Sequence, residues 1–294
     1  MNANGSSDSG AFGGAGAPPS SSGGSGTASP QPIAIHHHHA MATVFEVRIA
    51  GEDAVFAAQA AHAAFDVVDR LEQQLSRFNP DSEISALSRL QPGESLQVSE
   101  STATCLALAL DVEEQTGRAF SLAATATRTG QPPARWSINP AARAVTVHEG
   151  LCLLDLGAIG KGFALDRMAE ELREWGCPAF LLVAGGSSVL AGDPPPGEPA
   201  WTARLSDPAH PETPVESIPL VHAALGSSGL ALQGNHITDP RTGEPVTHRR
   251  RTWVRADSAA EADAFSTALM VLDDATTAAL AILRPDLKTW ITPA

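Results

Sequence analysis

Tyrosine is absent from the 294 residues, and Phe and Trp together bring the aromatic content to only 5%. A ligand that needs stacking must therefore find it on a handful of Phe and Trp side chains. Cysteine is nearly as scarce. Cys105, Cys152 and Cys177 are far apart, odd in number and form no CxxC pair. That argues against a disulfide framework or a structural zinc site, and predicts three reduced, buried thiols. Bases are few too: 19 Lys and Arg face 33 Asp and Glu, a formal net charge of -14. Such a surface repels phosphate backbones and anionic headgroups, which argues against nucleic acid or an anionic membrane as partner. No apolar run approaches the roughly 18 residues of a membrane span.

What remains is ample for a soluble fold. Hydrophobic residues make up 43% of the chain, enough to bury a sizeable core. Residues 1–32 are rich in Gly, Ser, Ala and Pro, with Asp8 as their only charge. They cannot offset their own ordering entropy by burial, so the expectation is a disordered tail over 1–35 and one domain over 36–294. The tail has neither the positive start nor the apolar stretch of a secretory signal, which points to the cytoplasm. The run His36–His39 reads as a solvated tract or tag remnant on a loop, with ordered structure starting near Ala40.

Periodicity outlines the elements. Phe45, Val47 and Ile49 alternate with Glu46 and Arg48, which predicts a half-buried strand. Phe56, Ala60, Ala63, Val67, Leu71 and Leu75 step by three and four, predicting a long helix from Glu52 to Arg77 that Asn79-Pro80 ends. A second helix is expected over 101–116, stopped by Gly117. Strands are expected at 145–147, 151–154, 179–184, 201–205 and 252–256, and helices after Gly157 and over 260–272, before a final helix and strand. Strands and helices mix without regular βαβ spacing, so the class is α+β.

Three places stand out chemically. Asp155-Leu156-Gly157-Ala158-Ile159-Gly160-Lys161-Gly162 sits between a strand and a helix, where glycines permit close backbone approach and a helix N-terminus offers N–H groups to a phosphate. Its spacing is not that of a P-loop. Asp263 and Thr267 are four apart on a helix and share a face, a carboxylate and hydroxyl that suit a hard cation or else an acid near a helix start beside a back-bonding threonine. Ser227-Ser228-Gly229 and the turn His236-Ile237-Thr238-Asp239-Pro240 form the third, where a loop histidine and aspartate can reach into a cleft.

Taken in order, seven blocks resemble the FAD:protein FMN transferase (ApbE-like) family. They are Ala40–Phe45, Leu75–Phe78 with Ser82-Glu83-Ile84, Ala119-Phe120, Asp155–Asp166 (DLGAIGKGFALD), Gly185-Gly186, His236–Pro245 (HITDPRTGEP) and Ala262–Leu272 (ADAFSTALMVL). The resemblance implies a single T-fold-related α+β domain with a deep FAD cleft. It implies an enzyme that moves the FMN half of FAD onto a Thr or Ser hydroxyl of a target protein and releases AMP. Carried over residue by residue, Mg²⁺ would be held by the Asp263 carboxylate, the Thr267 hydroxyl and the Ala158 carbonyl. FAD would meet Met41, Phe78, Ala119, Phe120, Ser121, Asp155, Lys161 and Ile237. Asp263, His236 and Lys161 would be the catalytic groups, Lys161 beside the phosphates and Asp263 or His236 taking the hydroxyl proton.

The chain departs from the family pattern at Ser121, where an aspartate is usual, and at Gly160, where an alanine is usual. Residues 122–150 and the stretch from Ser228 to His236 are also short. Two other functions fit the same residues: a Mg²⁺-dependent FAD pyrophosphatase giving FMN and AMP, and a non-catalytic FAD-binding protein. The expected partners are FAD and an acceptor protein with a Ser/Thr motif.

Overall fold

In chain order, the elements of the computed structural model are β1 (Ile33–Ala40), β2 (Thr43–Ala50), α1 (Ala54–Leu75), α2 (Glu83–Leu87), β3 (Ser95–Gln97), α3 (Glu100–Gln115), β4 (Arg135–Asn139) and β5 (Ala144–Glu149). They continue with α4 (Gly160–Glu174), β6 (Phe180–Ala184), β7 (Ser188–Ala191), β8 (Trp201–Asp207), β9 (His210–Leu220) and β10 (Ala223–Gly229). Last come β11 (Arg249–Ala256), α5 (Ala259–Val271), α6 (Asp274–Leu283) and β12 (Lys288–Pro293). The structure describes residues 32–123, 134–207, 210–230 and 237–293.

The frame is a seven-stranded sheet in the order β1-β2-β6-β7-β10-β11-β12, antiparallel throughout. Strand alternation gives it two apolar faces. Phe45, Val47, Ile49, Phe180, Leu182, Ala224 and Val254 point into the main core with α1, α4 and α5. Leu181, Ala223, Leu225 and Trp253 point the other way and are covered by the β8–β9 hairpin through Trp201, Ala203, Leu205, Ile218 and Leu220. A small sheet, β3-β5-β4, stands apart.

Helix α1 begins where Asp53 accepts from the Val55 and Phe56 N–H groups, the usual way an orphan first turn is satisfied. Ala60, Val67, Leu71 and Leu75 of its predicted apolar stripe are buried. All three cysteines are free and buried. Burial pushes the Cys105 thiol up to about 12, with Asp166 adding to it, and Cys152 to about 11. Such thiols hold their protons and are inert. Among the described residues no helix is long and apolar enough to cross a membrane.

Three expectations are corrected. The histidine run is not a loop. It lies in β1, which starts at Ile33 and pairs with β2 in the register His36↔Val47 to His39↔Val44. His37 bonds Glu46 at 2.9 Å, and His38 bonds Asp69 at 2.7 Å while stacking on Phe65. Four identical side chains carry no period, so only the partner strand reveals the conformation. Of the tail expected over residues 1–35, residues 1–31 lie outside the described residues, whereas Ile33–Ile35 belong to β1. Leu151–Leu154 is apolar but not a strand: the Leu153 N–H turns back to Leu151 O, and the next residue, Asp155, bonds Leu122 O rather than a ladder partner.

One carboxylate organises the helix pair that matters for the site. Asp166 on α4 accepts from Ser258 Oγ (2.8 Å), Ala259 N (2.8 Å) and Ala260 N (2.9 Å), and so caps α5 across 92 to 94 residues of sequence. Asp166→Ala should cost about 2–4 kcal/mol, because a buried cap is lost and its donors go unmet. Thermal unfolding should then fall by roughly 5–10 °C. A change of a degree or less would show that α5 is held elsewhere.

Candidate active site

Helix α5 is wedged between two glycines. A Cβ at Gly162 would lie 2.1 Å from the Ala259 carbonyl oxygen, and one at Gly226 2.4 Å from the Ala262 carbonyl carbon. Only glycine lets α4 and β10 approach the helix this closely. The approach brings Asp263 to the start of α4. Its Oδ2 accepts the Gly162 N–H at 2.8 Å, and Ser188 at the start of β7 donates to Oδ1 and Oδ2 at 2.7 and 2.9 Å. Asp263 is 5% exposed. Burial pushes its carboxyl up to about 6, and nearby Asp166 adds to the rise. The Lys161 charge, the Ser188 hydroxyl and the Gly162 N–H hold it back from rising further.

One turn along, Thr267 Oγ1 donates to the Asp263 carbonyl at 3.2 Å and lies 3.0 Å from Ser228 Oγ, which also meets Ser266 Oγ at 2.8 Å. The acid-near-a-helix-start reading is thus half met: the threonine does back-bond, but the acid is buried among donors rather than exposed. Among the described residues, no group of three or more His, Cys, Asp or Glu could hold a metal ion. A cation here would rest on one carboxylate and neutral oxygens. Hard donors of that kind suit Mg²⁺, which takes the rest of its shell from water and phosphate. A carboxylate has about four lone-pair sites, so the bonds from Gly162 and Ser188 leave room for it.

A second group of residues lies beside the irregular segment that leads into α4. Asp155 pairs with Arg77 at 3.1 Å, accepts the Gly157 N–H at 3.0 Å, and donates its own N–H to Leu122 O at 2.9 Å. The Arg77 guanidinium lies 4.2 Å from the centre of the Phe78 ring, itself 80% exposed. From Ser121 onward a cleft of about 470 Å³ opens, lined among others by Trp136, His148, Arg118 and Arg241. That volume falls within the range of small-molecule sites. The β1–β2 turn lies at the same end of the sheet as the β6–β7 turn. Met41 and Ala42 have φ of 49° and 57° there, and Gly185 N bonds Val44 O at 3.0 Å.

Comparison with known proteins then decides the family. The ApbE family model matches residues 41–291. The chain belongs to the ApbE family. It is similar to the FAD:protein FMN transferase of Salmonella typhimurium, 27% identical over 276 residues, covering 79% of this chain and 76% of that protein. The Klebsiella pneumoniae FAD:protein FMN transferase is 33% identical over 129 residues, covering 40% of this chain and 37% of that one. In fold, the chain matches the ApbE protein of Thermotoga maritima (TM-score 0.77, 22% identity, 89% and 94% covered) and the flavin transferase ApbE of Vibrio cholerae (TM-score 0.74, 19%, 90% and 98%). The expected α+β class is thereby met.

Within this ApbE chain, Asp263, Thr267 and the α4 start carrying Lys161 come together. Lys161 Nζ donates to the Gly157 carbonyl at 3.4 Å. Asp155, Phe78 and Ser121 form the neighbouring group. Ala119 and Phe120 are each 1% exposed, and their N–H groups bond Thr116, so the structure buries both rather than presenting them to a ligand. Ile237 is buried and ties its carbonyl to Val246 N. Met41 and Ala158 are half-buried against the core. His236 lies outside the described residues.

Two site residues escaped the sequence. Ser188 is visible only once β6 and β7 form a hairpin around Gly185-Gly186. Arg77 gave no signal beyond its place before Phe78.

Proposed function

We propose that this ApbE chain transfers the FMN half of FAD to a Thr or Ser hydroxyl of an acceptor protein and releases AMP. The observation that supports it most is the buried Asp263 carboxylate, set against the N-terminus of α4 with Thr267 one turn away. The acceptor oxygen bonds to the FMN phosphorus, the bridging P–O bond breaks, and AMP leaves with the bridging oxygen. The Asp263 carboxylate, the Thr267 hydroxyl and the Ala158 carbonyl would hold Mg²⁺, which would supply Lewis-acid neutralisation of the phosphates. Lys161 adds a point charge at the α4 N-terminus, whose positive dipole end favours a phosphate. Phe78, with Arg77 behind it, is an exposed platform for a flat ring. The hydroxyl proton passes to His236 or to Asp263.

The test is to incubate the protein with FAD, Mg²⁺ and a Thr-containing acceptor peptide, then weigh the peptide and quantify AMP. A peptide heavier by one FMN group with equimolar AMP supports transfer. AMP with free FMN and an unmodified peptide would make it a pyrophosphatase, and intact FAD a binder.

The metal assignment has its own readout. The Asp263 carboxyl titrates higher in the fold than its ordinary 3.8. The metal-free fold is therefore favoured below 3.8, and that advantage is lost as pH rises through about 6. A bound cation reverses the loss. Millimolar Mg²⁺ should raise the unfolding temperature at about pH 7.5 and have little effect at about pH 5. An equal shift at both pH values, or in Asp263→Asn, would remove Asp263 from the metal site.

A further inference from the structure

Asp263 has little of its carboxylate to spare for a cation. Each carboxylate oxygen offers about two lone-pair sites. Ser188 Oγ lies 2.7 Å from Oδ1 and 2.9 Å from Oδ2. Those near-equal distances put the hydroxyl between the two oxygens, where a cation chelated by both would sit. Oδ2 also accepts the Gly162 N–H at 2.8 Å, which takes its second site. Among the described residues, the site left over is the outer one of Oδ1.

The strands around it hold that hydroxyl in place. Ser188 is fully buried. Its partners across the sheet are Ala184 of β6 and Gly226 of β10, two small residues that leave room for a hydroxyl beneath α5. Ser187 Oγ lies 3.3 Å from Ser188 Oγ and can donate to it while Ser188 gives its one proton to Asp263. A buried carboxylate keeps such a donor, because losing it leaves the charge short of a partner. Asp166, whose charge is felt at Asp263, cannot stand in as a second anionic ligand. It is committed to three donors at the start of α5.

We infer that Ser188 is a positioning residue that restricts Asp263 to a single bond with the metal, through Oδ1, and so selects Mg²⁺ over Ca²⁺. The inference rests on the reading of Asp263 as a metal ligand. Mg²⁺ takes an octahedral shell at about 2.0–2.1 Å, keeps several waters and is served by single carboxylate oxygens. Ca²⁺ gathers roughly six to eight oxygens at about 2.3–2.6 Å, often both oxygens of one carboxylate. A hydroxyl seated on the chelating edge of Asp263 denies Ca²⁺ that second oxygen and costs Mg²⁺ nothing.

Calorimetric titration of the metal-free full chain with MgCl₂ and with CaCl₂ tests this, at about pH 7.5, where the carboxyl is charged. Asp263→Asn serves as the blank, so that ions gathered on the acidic surface cancel. Mg²⁺ is expected to bind about tenfold or more tighter than Ca²⁺. In Ser188→Ala the carboxylate is held at Oδ2 alone and can turn both oxygens to the ion. Ca²⁺ should then gain about tenfold while Mg²⁺ changes little. A merely structural serine would weaken or spare both ions alike, leaving their ratio where it was. The ratio in the unaltered chain decides by itself if Ser188→Ala does not fold. Equal affinities in that chain, or an unchanged ratio in folded Ser188→Ala, overturn the inference and leave the metal site standing. If neither ion binds in a way that Asp263→Asn abolishes, the metal site itself falls, and the inference with it.

Discussion

Asp263→Asn should lower AMP release from FAD by about a thousandfold or more, since the only carboxylate among the proposed Mg²⁺ ligands is gone. The same change should leave the protein folded, and at neutral pH no less stable than before. Among the described residues, ionised Asp263 is buried against a backbone N–H and a serine hydroxyl rather than a contacting cation. Moving its carboxyl from 3.8 to about 6 corresponds to roughly 3 kcal/mol disfavouring the charged form above that pH. Asparagine carries no such penalty. Its carbonyl can accept from Gly162, and its NH₂ can donate to Ser188. Activity and stability should therefore move in opposite directions, which separates a functional carboxylate from a structural one. Measuring AMP release and unfolding temperature on the same preparations checks both. A parallel fall in the two would assign Asp263 to the scaffold. His236→Ala, with the metal ligands intact, should keep Mg²⁺-dependent stabilisation, and its pH–rate profile tells which group accepts the proton.

The spacing of Asp263 and Thr267 was legible because a helix places i and i+4 on one face whatever surrounds it. The turn from Asp155 to Gly162 was legible for a similar reason: three glycines and a lysine in eight residues report a local backbone event. Helices α1, α3 and α5 came through within about two residues at each end, as boundaries usually do. What escaped was non-local. Ser188 acquires its role from the β6–β7 hairpin and from a helix 75 residues later. The sheet order, with β2 beside β6 and β7 beside β10, has no signature in any one segment. The β1 histidines needed β2 to become a strand. The run at 151–154 illustrates the converse error: apolar residues indicate burial, and burial alone does not distinguish a strand from an irregular segment.

Gly162→Ala should destabilise the fold by about 3 kcal/mol or more and disable the site with it, since overpacking against backbone cannot be relieved by a rotamer change. All three atoms nearest the added methyl are main-chain atoms of α5: Ala259 O at 2.1 Å, Ala259 C at 2.4 Å and Ala260 N at 2.7 Å. Relief requires moving the first turn of α5, but Asp166 bonds the N–H groups of those same two residues. Displacing the turn thus breaks the cap and withdraws Asp263 from the Gly162 N–H together. Gly226→Ala presses on the next turn, with Ala262 C at 2.4 Å and Asp263 N at 2.6 Å, and should behave alike. Gly160, two residues upstream, is the control. A methyl there meets only Leu156 Cβ at 3.8 Å, an ordinary contact. Gly160→Ala, the residue usual in the family, should be neutral or gain up to about 1 kcal/mol from reduced backbone entropy. Unfolding temperatures of the three variants decide it. If Gly162→Ala matched Gly160→Ala, the close approach of α4 to α5 would not be what sets Asp263 in place.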